Sequence, residues 1–479
     1  MVIFLLWVAT TCVFAVPNIV LILADDLGYA DLGCYGNQYH QTPHIDRLMA
    51  AGVRFTQAYV DAPLCAPSRI ALLTGRHAVR EGCYEVVAGR FLKQVDIEKV
   101  RFLPPENKLA LPRNRKILPE RLKGIGYRTG IFGKWHVGPE PPGTRGFDDF
   151  VLLGTASHLD AAKSATRYRS ADYPPPQGYS SDYLTECARR FLDKCSADSR
   201  PFFLYLPYTL VHDCLGRGGD LLEPKPELLA KYEALPKTDL HRNPAYAAMV
   251  EALDQSVGVL MAELERRQLL SKTLVIFTSD NGGLLGKPRV TASGFEAGEF
   301  TSNYPLRDGK ATLWEGGIRV PFGIRFDGRI PAGRVSDAVV SLLDVMPTLL
   351  ELVGDLEIPN DFDGRSLLPV LTGKTDGFLE RTLCWHYPNY RLRGYGDLEG
   401  EAAPGGQPPS SAIRWGNWKL IEELETGNVT LYNLATDVSE QRNVSKNHPE
   451  IVSRLKRKLH AWRKETNAPM LEPKSRKAP

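Results

Sequence analysis

The sequence predicts an α/β protein. It has a large domain with a mostly parallel central sheet flanked by helices, then a small C-terminal domain with a four-stranded antiparallel sheet and one helix. Three observations carry this. Several short apolar runs lack any polar alternation, as strands buried on both faces do, and each ends in a polar cluster. Between them lie stretches whose apolar residues have helical spacing. Beyond Lys374 the texture changes to short strand-like segments joined by Gly-Asn turns.

Taken in order, residues 2–15 are apolar and end in Val-Phe-Ala, too short for a membrane span of about 20 residues. They read as a secretory signal peptide, which makes the protein exported: periplasmic or extracellular, or lysosomal or secretory in a eukaryotic cell. Residues 16–373 form the expected large domain. Its first strand is Asn18 to Leu23, ending on Asp25 and Asp26. Thr42-Pro43 opens a helix. Leu64 to Arg76 places Cys65 just before a helix N-terminus pre-set by Pro67. Strands at 127–132, 202–206 and 274–278 run into Lys134 and His136, His212, and Asp280 with Asn281. Helices are expected at 179–192, 246–267 and 341–354. The small domain, 374–466, carries strands at 382–387, 411–415, 418–423 and 429–434 and a helix at 449–463. The basic tail, 467–479, reads as disordered.

A chain of 479 residues is too long for one small core and suits two domains. Its 43% hydrophobic and 24% charged residues are ordinary for a soluble globular protein. A net charge of +3, with no aromatic-interleaved basic tract, gives no sign of a nucleic-acid partner or of stable membrane insertion. Six cysteines besides Cys12 and Cys65 leave disulfide pairing open. Cys187 and Cys195 lie eight residues apart. On one helix that is about 12 Å, beyond disulfide reach.

In open α/β sheets, ligands bind beyond the carboxyl ends of the strands. Four strand ends therefore bring Asp25 and Asp26, Lys134 and His136, His212, and Asp280 with Asn281 to one edge. The Asp and Asn side chains offer only oxygen ligands, which suit a hard divalent cation, Ca²⁺ or Mg²⁺, rather than zinc.

Longer patterns carry a resemblance. Cys65-Ala-Pro-Ser-Arg69 followed by Leu-Thr-Gly-Arg76 resembles the signature of the type I, formylglycine-dependent sulfatases. Pro17 to Gly28, Gly133-Lys134-Trp135-His136-Val137-Gly138, Ser279 to Gly283 and Gly309 to Pro321 resemble further motifs of that family. Tyr205 to His212 resembles its second histidine motif, with His212-Asp213-Cys214 where the family has His-x-Pro. Arylsulfatase A-like bacterial polysaccharide sulfatases are the part of the family it looks most like.

The resemblance implies an alkaline-phosphatase-like fold and hydrolysis of sulfate monoesters by a sulfatase. Cys65 would be oxidised to formylglycine by a maturation enzyme, and its hydrate would attack sulfur. Asp25, Asp26, residue 65, Asp280 and Asn281 would hold one divalent cation, Ca²⁺ first. Arg69, Lys134 and Lys310 would hold sulfate oxygens, His212 would protonate the departing alkoxide, and His136 would deprotonate the sulfated hydrate so that sulfate leaves. The substrate would be a sulfated saccharide of galactose or N-acetylgalactosamine type, or another sulfate ester. His386, Tyr387 and Tyr390 are candidate sugar contacts. The alternatives are a phosphonate monoester or phosphodiester hydrolase of the same superfamily, and a non-catalytic glycan-binding relative.

Overall fold

The computed structural model describes residues 16–90, 100–214, 222–286, 288–290, 296–355, 361–374, 377–390 and 407–474. The expected signal peptide lies outside them. The central sheet is built from β1 (Asn18–Ala24), β2 (Val53–Tyr59), β3 (Arg128–Gly133), β4 (Asp149–Leu153), β5 (Ala165–Arg169), β6 (Phe202–Pro207), β7 (Thr273–Ser279), β8 (Arg319–Arg325) and β9 (Arg334–Ser341). Their order across the sheet is β9-β2-β8-β7-β1-β6-β3-β4-β5. Only β8 and β5 run against their neighbours. The mostly parallel sheet expected from unalternated apolar runs is thus present. The sheet extends further than those runs foretold: β2, β4, β5, β8 and β9 carry charged residues, and β8 contains Pro321.

β1 shows why its run is continuous. Ile19, Leu21 and Leu23 enter one core, and Val20, Ile22 and Ala24 enter another on the opposite face. Helices α1 (Pro43–Ala50), α4 (Ser180–Ser196) and α5 (Pro244–Arg266) cover the second face. Helices α2 (Cys65–Thr74), α3 (Leu118–Gly124) and α6 (Val345–Leu352) cover the first. Cys187 and Cys195 both sit on the unbroken α4, and every described cysteine is free.

The small sheet runs β10 (Thr382–Tyr387), β11 (Ser410–Trp415), β12 (Trp418–Glu423), β13 (Val429–Asn433), antiparallel throughout. One face packs Ile413, Leu420 and Leu431 against Leu455 and Leu459 of α7 (Pro449–Thr466). The other face does not close on itself. Leu383, Trp385, Tyr387, Ala412 and Ile421 belong to the large domain's first core, and Trp385 donates from Nε1 to the Val60 carbonyl at 2.8 Å.

A buried ionic cluster also joins the two domains. Lys419 Nζ meets Glu315 Oε1 at 3.0 Å and Glu440 Oε1 at 2.9 Å, all three side chains fully buried. Glu440 Oε2 accepts the Glu315 amide, Tyr59 donates to Glu315 Oε2, and Arg414 donates to the Tyr59 hydroxyl. The segment after Asn467, expected to be disordered, is held through Lys474. Glu472–Pro473 pairs with Phe102–Leu103, and Ala468 is buried. Strand pairing, which a polar composition does not advertise, orders it.

Candidate active site

The carboxyl ends of β1, β3, β6 and β7 deliver their polar residues to one place. Two glycines permit the approach. Gly133 has φ +139°, and a Cβ there would stand 1.9 Å from the Pro207 carbonyl oxygen. That closeness lets the Lys134 amide bond the same carbonyl at 2.8 Å and turns residues 134–136 inward. Gly282 likewise lies against Gly316, with its amide on the Gly317 carbonyl, which brings the Lys310 loop to β7. Asp26 (φ 64°), His136 (φ 53°) and Ala311 (φ 70°) hold left-handed backbone around this point. Such conformations persist where the surroundings over-determine them, as they do at functional sites.

Cys65 is the first residue of α2, one position further into the helix than the sequence suggests. The opening turn has no intrahelical amide partners, so Pro67 is tolerated at its third position. Lys134 Nζ lies 3.6 Å from the Cys65 sulfur and bonds both oxygens of Asp25, at 3.0 and 2.7 Å. Burial raises the thiol pKa, but the Lys134 and Lys310 charges outweigh it and bring it down to about 7.

Lys310 Nζ bonds Asp26 Oδ2 at 2.7 Å and stands 3.1 Å from His212 Nε2. His212 Nε2 is itself 3.6 Å from Asp26 Oδ2, and its Nδ1 donates to the Asp213 carbonyl at 2.7 Å. Two nitrogen donors thus converge on one carboxylate oxygen. Burial and Lys310 oppose protonation of His212, while Asp26 and Asp25 favour it; the balance lies well above the ordinary imidazole value. Asp213, which replaces nothing in the expected motif, lies 2.9 Å from Nδ1 through Oδ1. His158 Nε2 bonds the His212 carbonyl at 2.8 Å and braces the loop.

His136 is the opposite case. Its Nε2 donates to the Val86 carbonyl at 3.2 Å, and its buried Nδ1 has no partner. Burial, then Lys134 and Arg69, lower its pKa to about 3. The ring is therefore neutral, with its lone pair on Nδ1.

Arg69 departs from its expected role. Nε and Nη2 bond Asp280 Oδ2 at 2.9 and 2.7 Å, and Nη1 bonds the Lys134 carbonyl at 2.7 Å. Wholly buried, the guanidinium is committed to holding Asp280 and Lys134 in place rather than meeting sulfate.

The oxygen donors fit a hard divalent cation. Asp25, Asp26, Cys65 and His212 each place a ligand atom within 4.8 Å of the others. Asn281 Nδ2 bonds Asp26 Oδ1 at 2.8 Å, which leaves Asn281 Oδ1 buried without a partner. The Asp280 pKa is raised well above the usual carboxylate range by burial and by Asp25, against Arg69. A buried oxygen without a donor, set among three carboxylates, is what a bound cation relieves.

His386, Tyr387 and Tyr390, expected at the sugar, are committed inside the protein instead. His386 pairs with Ser411 Oγ and the Pro469 carbonyl, each at 2.7 Å. Tyr387 donates to Glu85 Oε2 at 3.0 Å and Tyr390 to the Phe102 carbonyl at 3.1 Å. Strand β10 lies between the two cores, so its polar side chains serve packing. Glu85, Asn107, His158 and Asp213 belong to no motif, and only the position of Asp213 beside His212 hinted at any of them.

Residues 17–355 match the family model described as Sulfatase. The chain belongs to the sulfatase family. It is a sulfuric ester hydrolase, and its large domain has the alkaline-phosphatase-like fold. Residues 306–465 of this sulfatase match a second model, N-sulphoglucosamine sulphohydrolase, C-terminal. A sulfatase of Formosa agariphila is 31% identical over 533 residues, covering 95% of this chain and 90% of that protein. N-acetylgalactosamine-6-sulfatase of Canis lupus familiaris is 35% identical, over 74% of this chain and 66% of its own length. The crystal structure of Ps i-CgsB in complex with k-i-k-neocarrahexaose superposes with a TM-score of 0.76 at 29% identity, covering 96% of this chain and 95% of that one.

Proposed function

We propose that this sulfatase removes sulfate from a saccharide of galactose or N-acetylgalactosamine type, using formylglycine made from Cys65 and a divalent cation, Ca²⁺ first. One observation carries the reading. Cys65 opens α2 between Lys134, Lys310 and His212, with the bare Nδ1 of His136 buried in the same site. The sugar class is supported by the N-acetylgalactosamine-6-sulfatase relative and by the oligosaccharide bound to the structural neighbour. Export and a maturation enzyme complete the proposal. Among the described residues no helix is long and apolar enough to cross a membrane.

The hydrated aldehyde would supply the oxygen that attacks sulfur, and the cation, held by Asp25, Asp26, Asp280 and Asn281, would supply positive charge to the sulfate oxygens. The protein's own groups do the rest. Lys134 and Lys310 orient the sulfate and balance its charge. His212, oriented through Nδ1, gives its Nε2 proton to the departing sugar oxygen. His136 takes a proton at Nδ1 in the later step that frees sulfate. Its depressed pKa keeps Nδ1 unprotonated until an anion arrives. That anion counters Lys134 and Arg69 and raises the basicity of the ring when it is needed.

The test is ion chromatography of sulfate released from a panel of sulfated saccharides, beside a nitrophenyl phosphodiester. Release from a galactose- or N-acetylgalactosamine-type sulfate supports the proposal. Turnover of the phosphodiester alone sinks it.

A further inference from the structure

The mechanism leaves one question open: what keeps the proton on Nε2 of His136 and off Nδ1. Val86 supplies the acceptor, and both polar groups of Val86 are tied. Its carbonyl takes the His136 bond, and its amide donates to Glu85 Oε1 at 2.8 Å. Glu85 is fully buried. Its other oxygen, Oε2, accepts from Tyr387 at 3.0 Å and from Asn389 Nδ2 at 2.8 Å. Both donors follow or end the first strand of the small sheet. From the far side, Asn107 clamps the same strap. Its Oδ1 accepts the Tyr84 and Glu85 amides, and its Nδ2 donates to the Glu85 and Val87 carbonyls.

We propose that Glu85, held by Tyr387 and Asn389 of the small domain, is a positioning residue that fixes the orientation and tautomer of His136. Burying a carboxylate carries a desolvation cost. An apolar contact between the domains would avoid that cost. What the carboxylate adds is direction. Oε1 on the Val86 amide fixes the peptide before Val86, and Asn107 Nδ2 on the Val87 carbonyl fixes the peptide after Val87; the Val86–Val87 peptide between them is held from both sides, with its carbonyl facing His136. That carbonyl can only accept, so Nε2 must carry the proton and Nδ1 the lone pair. The small domain thereby sets the protonation geometry of a group in the large one. This inference rests on the reading of His136 as the base for sulfate release.

The test uses the full chain carrying Tyr387→Phe, Asn389→Ala, the double variant and Glu85→Gln, with His136→Ala as reference. Tyr387→Phe removes a single oxygen and keeps the ring volume, so at least one variant retains the fold. The first readout is the ¹⁵N signal of the His136 ring in protein with unmodified Cys65. It should report one Nε2–H tautomer in the parent and a mixture in Glu85→Gln and the double variant. The second readout is kinetic. A group needed only after the alcohol has left lowers kcat and KM together and spares kcat/KM.

In these variants kcat should fall by about tenfold or more, short of the 10²–10⁴-fold that a general base commonly contributes. kcat/KM should stay near the parent value, and intact mass should show sulfate retained on the protein. An unchanged His136 signal in folded variants overturns the proposal. So does a fall in kcat/KM with raised KM, the mark of a generally loosened site. If His136→Ala retains no sulfate, the release role of His136 fails, and the ¹⁵N signal alone then decides whether Glu85 positions the ring.

Discussion

Two buried ionic clusters stand close together in the chain, Lys310 in one and Glu315 in the other, and they are built differently. In the interdomain cluster every carboxylate oxygen has a neighbour: Glu315 Oε1 and Glu440 Oε1 meet the Lys419 ammonium, the second as an ion pair without hydrogen-bond geometry, while Tyr59 and the Glu315 amide donate to the other two oxygens. In the active site Lys310 bonds one Asp26 oxygen and His212 stands 3.6 Å from the same atom, while Asn281 Oδ1 and His136 Nδ1 have no hydrogen-bond partner. A cluster that closes on itself stabilises the fold. One with atoms left over awaits a ligand.

The sharpest way to break this contrast is at Cys65. Cys65→Ala should abolish turnover and leave thermal unfolding near the parent value, because the loss is chemical. Peptide mass spectrometry of active parent protein should find an aldehyde at position 65; a fully active protein carrying only the thiol there removes the mechanism. Asp280→Asn comes next. It should cost nearly all activity together with cation affinity read by calorimetry, since a charged oxygen ligand is lost. Retained activity after exhaustive chelation would contradict an essential cation.

His212→Ala should slow a sulfated sugar by about 10²–10⁴-fold and nitrophenyl sulfate much less, because only the sugar alkoxide needs a proton to leave. Equal losses on both substrates would take His212 out of the acid role.

The closed cluster should answer in the other currency. Lys419→Met leaves Glu440 buried without its cation and Glu315 with Arg319 alone at 3.4 Å, which costs about 3–5 kcal/mol. Urea unfolding should show that loss, while kcat of the folded fraction changes little. The smallest effect expected is at His77, whose Nδ1 lies 2.5 Å from Asp61 Oδ1. Burial lowers its pKa, but Asp61 outweighs that and raises it above the ordinary value of 6.5. The folded state then binds the proton more tightly than the unfolded chain. The pair's contribution is full below pH 6.5 and fades as pH rises through the folded-state pKa. Tm measured against pH should show this alkaline decline in the parent and not in His77→Gln.

The sequence made the strand ends legible because two signals coincide there: an unalternated apolar run, then residues with chemistry. Asp25, Lys134, His212 and Asp280 all stand at such junctions. β8 lacked the first signal, since Arg319, Pro321 and Gly323 interrupt it, yet pairing with β2 and β7 on either side makes it a strand. Arg69 was found but given the wrong partner, because a motif names a residue without saying which way its guanidinium points. His386 and Tyr387 look like sugar contacts by composition. Only tertiary placement shows that both faces of β10 are covered. Glu85 had no local signal, since its partners Tyr387 and Asn389 lie some three hundred residues away.

The place of β1 in the sheet has a consequence in time. It is the first strand among the described residues, yet both its neighbours, Phe202–Pro207 and Thr273–Ser279, come far later in the chain. Contacts so distant in sequence form slowly, and those to β7 span about 255 residues. Until then the sheet beside which Cys65 settles is incomplete. Afterwards Cys65 is only 1% exposed. If Cys65 becomes formylglycine as proposed, the enzyme that oxidises it would have to meet a growing or freshly released chain, and a variant that folded faster would leave a larger share of its molecules with the thiol.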